Sequence, residues 1–218
     1  MVALDSAFAT DEGHGRTAYT APIVLTALAG AVLLAAGTLL FEIGNSFAWR
    51  DAAKNVSRFS LLIFVAAIVV EPLSRIFRAP FLRGVARERS SLILAFVVVS
   101  FVALVCNLAL LQQAGAQMSV AALGYSVLST GILIVMLFSE HPSTRKRLGG
   151  PAWRTMQRIA IAYFWVIFAV TALTHIRAPD VTDRWWGISL LLLITAVLVQ
   201  VVDRLLSKLR GAATEKAV

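Results

Sequence analysis

Six long apolar blocks, separated by short polar or basic stretches, account for most of the chain: residues 22–42, 57–77, 90–112, 118–139, 155–175 and 185–206. Each is close to the ~20 residues needed to cross about 30 Å of hydrocarbon at about 1.5 Å per residue. The apolar residues run continuously instead of at the spacing of a helix lying half in water. They show no period-two alternation either, which argues against a transmembrane barrel. In hydrocarbon every backbone N–H and C=O must be satisfied internally, and a helix achieves this within one segment. The pattern therefore predicts an all-α integral membrane protein, a six-transmembrane-helix bundle, with residues 21–207 as one membrane domain. Residues 1–20 and 208–218 are expected to be polar tails.

The connections carry their own signals. The first block follows a polar tail and lacks a basic leader, so it is expected to be a helix of the bundle and not a cleaved signal. Pro22 is expected in the first turn of that helix, where a missing N–H costs nothing. Ala29-Gly30 and Ala36-Gly37, seven residues apart, would let a neighbouring helix approach closely. The stretch around Trp49 is long enough for a short interfacial helix. "RIFRAPFLRGVARERSS", between the second and third blocks, interleaves Phe77, Phe81 and Leu82 with arginines and is expected in the lipid headgroup layer. Trp185-Trp186 suits an aromatic belt at the opposite boundary.

Composition agrees with a membrane protein and changes little. The 218 residues are 59% hydrophobic and only 15% charged, with a mean hydropathy of +0.80, too apolar for a soluble domain. A net charge of +8 would point to nucleic acid if the protein were soluble. Here the basic residues sort by loop. Of the 20 Lys and Arg, 15 fall in the tails, in the second–third and fourth–fifth connections, at the start of the fifth helix, or at the ends of the second and sixth blocks (Arg75 and Arg204). Arg50, Lys54, Arg58, Arg177 and Arg184 remain on the other side. This bias predicts both termini in the cytoplasm of a bacterial inner membrane. The basic residues are then topology signals and headgroup contacts, with no nucleic-acid partner. Cys106, the single cysteine, lies inside the third block, so no intrachain disulfide can form, and it is expected to be a small buried hydrophobe.

Two stretches are more specific. "SRFSLLIFVAAIVVEPLSR", at 57–75, and "FSEHPSTRKRLGGPAWRTMQR", at 138–158, resemble the second helix and the fourth–fifth connection of the ferric reductase-like transmembrane domain family. Within it, the haem-binding membrane subunit of the methionine sulfoxide reductase system is the most similar branch. The resemblance covers roughly residues 40–175. It implies six helices, cytoplasmic termini, and paired histidines on the third and fifth helices that hold b-type haem and pass electrons across the membrane.

The sequence departs from that pattern where the chemistry would be. The family histidine four residues after the tryptophan corresponds to Gln157 here, and the third block has no histidine; its polar members are Ser100, Cys106 and Asn107. Bis-imidazole ligation needs two nitrogen donors from facing helices. The chain has three histidines, of which His14 lies in the N-terminal tail and His141 in a basic connection. His175, at the end of the fifth helix, reads first as an interfacial residue; the sharper alternative is a haem ligand, with Met118 or a group near Asn107 opposite it. Tyr163, Phe164, Trp165 and Phe168 read as packing or lipid contacts, or as one wall of a quinone or pigment site.

Other constellations fail on their chemistry. "GYSV" at 124–127 lacks the second glycine of an intramembrane serine nucleophile turn, and no midplane histidine follows. No lysine lies inside the spans to form a Schiff base. Glu42, Glu71 and Glu140 sit near span ends, where interfacial ion pairing is the expectation, and Glu71 has Arg75 four residues on. The function expected is that of a haem-less ferric reductase-like membrane protein, not catalytic by itself, a scaffold or accessory subunit with other membrane subunits as partners. The alternatives are an electron-transfer subunit with a non-standard haem b or quinone site, and a small-molecule transporter.

Overall fold

The computed structural model describes residues 16–42, 48–77, 79–114, 120–140, 142–177 and 183–215. Among the described residues every regular element is a helix: α1 (Arg16–Phe41), α2 (Ala48–Phe77), α3 (Pro80–Arg87), α4 (Arg89–Ala114), α5 (Val120–Ser139), α6 (Pro142–Leu148), α7 (Gly150–Arg177) and α8 (Trp185–Glu215). Five of them, α1, α2, α4, α7 and α8, are long and apolar enough to cross a membrane. The fourth expected span corresponds to α5, whose apolar stretch Leu123–Ser139 is shorter than the other five. At about 1.5 Å per residue, α2, with 30 residues, runs to about 45 Å and exceeds the hydrocarbon thickness. It must tilt or project beyond the apolar layer.

Several local expectations change. The segment around Trp49 is no separate interfacial helix; it is the first turn of α2, continuous because nothing before Pro72 interrupts the helical ladder. Pro22 lies inside α1, which already starts at Arg16. The basic connection before the fifth span is helical as α6, and Gly149 joins it to α7 with φ +74°. Only a residue without Cβ takes that left-handed conformation at no steric cost. α7 thus begins at Gly150 and α8 continues to Glu215, past the expected ends of both spans.

The chain forms two compact units, residues 1–63 with 87–117, and 64–86 with 118–218, so the boundary falls within α2. In the first unit α1 packs chiefly on α4. Its core is Ala27, Ala31, Val56, Ala95, Val99 and Ala103, edged by Phe59 and Val102. Small side chains let helix axes approach, which matters in lipid because dispersion contacts, not water exclusion, drive helix association. The close-packed stripe is Ala27–Ala31–Ala35, one step round from the expected one. Gly30 does meet the Phe59 ring, with a Cβ there 3.4 Å away, whereas Gly37 faces open space. Cys106 is a buried hydrophobe as expected, against Ala52 and Ala53. Two polar ties cross helices in this unit: Ser60 Oγ with Ser100 Oγ at 2.7 Å, and Asn55 Nδ2 donating to Thr38 Oγ1 at 3.1 Å.

In the second unit α7 packs chiefly on α8, and α5 and α6 also contact α7. α7 buries Gln157, Ala160, Phe164, Ala169 and Ala172, a single helical face. α8 buries Ser189, Leu193 and Ala196 at the same kind of spacing. Phe168 meets Phe64 of α2 with ring centroids 5.4 Å apart, a separation suited to aromatic pairing.

Candidate functional site

The second unit carries a connected layer of polar side chains where α2, α5, α7 and α8 are joined by hydrogen bonds and an ion pair. α7 and α8 are antiparallel: Trp165 Nε1 donates to Leu193 O at 3.4 Å, and His175 stacks on Trp186 further along. Continuing that register puts Gln157 at the level of Asp203. Arg75 of α2 reaches Asp203 at 3.3 Å and also pairs with Glu71 one turn back on its own helix. Glu71, Arg75, Asp203, Glu140 and Gln157 therefore share one layer, formed by the last turns of α2, the end of α5, the first turns of α7 and the middle of α8.

The first two turns of α7 clamp the end of α5. Trp153 Nε1 donates to Ser139 O at 3.1 Å, satisfying one of the carbonyls that a helix C-terminus leaves open. Four residues on, and so on the same face, Gln157 Nε2 donates to Glu140 Oε1. Gln157 is only 6% exposed; a carboxamide that deep in a membrane protein needs a partner, and Glu140 supplies one. Ser139, also buried, turns its own Oγ back onto Met136 O at 2.8 Å.

The aromatic face of α7 is packed. Tyr163 shares a hydrogen bond of 2.9 Å with Ser129 of α5, Phe164 is buried, and Phe168 lies on Phe64. These side chains join helices.

At the other end of α7 and α8, the His175 ring lies parallel to the Trp186 ring, 8° between planes and 4.1 Å between centroids. His175 is exposed in the last turn of α7. Asp183 Oδ1 accepts from the Trp185 amide at 3.1 Å, capping the start of α8. Met118, suggested opposite His175, lies outside the described residues, as do His14 and His141. Asn107 turns its amide onto Ala103 O of its own helix at 2.8 Å.

Among the described residues there is no pair of facing imidazoles that could hold a haem. His175 is the only described histidine, and Gln157 has its amide nitrogen engaged on Glu140. Among the described residues no three His, Cys, Asp or Glu lie close enough to share a metal ion. The layer's chemistry is that of three carboxylates tied by one guanidinium and one carboxamide, an arrangement that fixes helix ends.

The Glu71–Arg75 pair is legible in the sequence from its four-residue spacing; Asp203, 128 residues away from Arg75, is not. Nothing in their spacing of 17 residues joins Gln157 to Glu140 before the helices are packed. No family model, no curated protein and no solved structure matches the chain.

Proposed function

We propose that this chain is a haem-less relative of the ferric reductase-like transmembrane domain, a six-span protein of the bacterial inner membrane with both termini cytoplasmic. In this reading it serves as a scaffold or accessory subunit of a larger membrane complex. One observation carries the proposal. Where the family sets an imidazole four residues after a tryptophan, this chain has Gln157, and Trp153 and Gln157 together grip the end of α5. A side chain spent on a helix clamp holds structure and has no nitrogen lone pair to offer a metal. The neighbouring ion pairs act in the same sense, since Arg75 ties α2 to α8.

The test is gentle purification from native membranes, with a visible spectrum and crosslinking in the membrane before extraction. The expected result is no b-type haem absorption at protein stoichiometry, together with a reproducible crosslink to another membrane protein. A stoichiometric Soret band that His175→Ala abolishes would overturn the proposal in favour of an electron-transfer subunit.

A further inference from the structure

The connection between α2 and α4 is a helix with a surface of its own. α2 and α4 are both long and apolar enough to span, so the segment joining them, α3, must lie at the membrane boundary where the two spans emerge. None of its eight residues is buried. At about 100° per residue, Phe81, Leu82, Val85 and Ala86 occupy one side of α3, and Arg83 and Arg87 the opposite side. Phe81 is 77% exposed, and Phe77, just before the helix, 66%; Arg83 and Arg87 are exposed as well. The first amide–carbonyl link, Arg83 N to Ala79 O at 3.1 Å, starts the helix one residue ahead of Pro80, whose ring has no N–H to leave unpaired.

A water-facing helix would not present a phenylalanine that bare, and a helix in hydrocarbon would not carry two arginines. The arrangement suits a surface half in acyl chain and half among phosphates. We propose that α3 is a binding site for anionic phospholipid. Phe81, Leu82 and Val85 enter the acyl boundary while Arg83 and Arg87 take the phosphate and the negative headgroup. Guanidinium favours that ligand over a zwitterionic one because its planar fork of donors meets phosphate oxygens two at a time with no neighbouring ammonium to compete. The proposal is independent of whether the protein ever held haem.

The test uses the full chain in vesicles. Cys106→Ala removes the only thiol, and Val85→Cys then carries a bimane probe on the apolar side of α3. Quenching is compared between brominated phosphatidylglycerol and brominated phosphatidylcholine at equal mole fraction, and with aqueous iodide. The expected result is stronger quenching by the anionic lipid and little by iodide. Arg83→Gln and Arg87→Gln should each lower that preference about fivefold, and the double lysine variant, which keeps the charge but loses the fork, should fall between the parent and the double glutamine variant. Equal quenching by the two brominated lipids in the arginine-bearing protein would overturn the proposal, as would full access to iodide. Both readings need only the parent protein, so a poorly folding Gln variant leaves the test intact.

Discussion

Replacing Glu140 by Ala removes the acceptor that satisfies Gln157. The carboxamide is 6% exposed, so water cannot take over without opening the α5–α7 contact. A buried donor left without a partner costs about 1–3 kcal/mol, and a hydrogen bond to a charged acceptor is worth about 1.5–3 kcal/mol. A loss of about 2 kcal/mol is expected for E140A, about 4–8 °C in Tm for a chain of this size. Gln157→Leu takes away the buried donor instead and leaves Glu140, which is half-buried, able to recruit water; it should cost under about 1 kcal/mol. The decisive measurement is the double variant E140A/Q157L. With both partners gone no polar group is stranded, so it should melt near Q157L and above E140A. Thermal unfolding of the four proteins in one detergent gives the coupling directly. If the double variant melts at or below E140A, the clamp is not what Glu140 contributes, and the reading of Gln157 as a structural residue fails with it.

Further outcomes follow from other contacts. Ser60→Ala and Ser100→Ala, in a double-mutant cycle for the 2.7 Å pair, should show a coupling of about 0.6 kcal/mol, the usual size for polar pairs between membrane helices; reversible unfolding in mixed micelles measures it. Gly149→Ala, at φ +74°, should destabilise by about 1–2 kcal/mol, visible as a lower melting temperature. The Arg75–Asp203 pair, with the arginine 58% exposed and the aspartate 14%, should show a coupling of no more than about 1 kcal/mol that falls with added salt. Trp153→Phe keeps the ring packing but drops the bond to Ser139 O, and should cost about 1 kcal/mol in the same melting assay.

The length and continuity of the apolar blocks determined by themselves that this is a helical membrane protein, because lipid leaves a spanning segment so few ways to satisfy its backbone. Local spacing was legible too: Glu71 and Arg75 lie one turn apart and do pair, and Cys106 sits in an apolar run and is buried. Helix ends were less legible, since α2, α7 and α8 extend beyond their apolar blocks into residues whose polarity resembles a loop. What only the tertiary structure decided is which polar groups meet. Gln157 read as a ligand position with the wrong side chain; its partner Glu140 is 17 residues away across α6 and a turn, and Asp203 is farther still from Arg75. Those meetings depend on the rotation and register of packed helices. In a membrane both are set by side-chain fit along whole faces, such as Ala27–Ala31 and Ala160–Phe164, and a one-dimensional pattern of apolar residues is nearly the same for every rotation of an all-apolar helix.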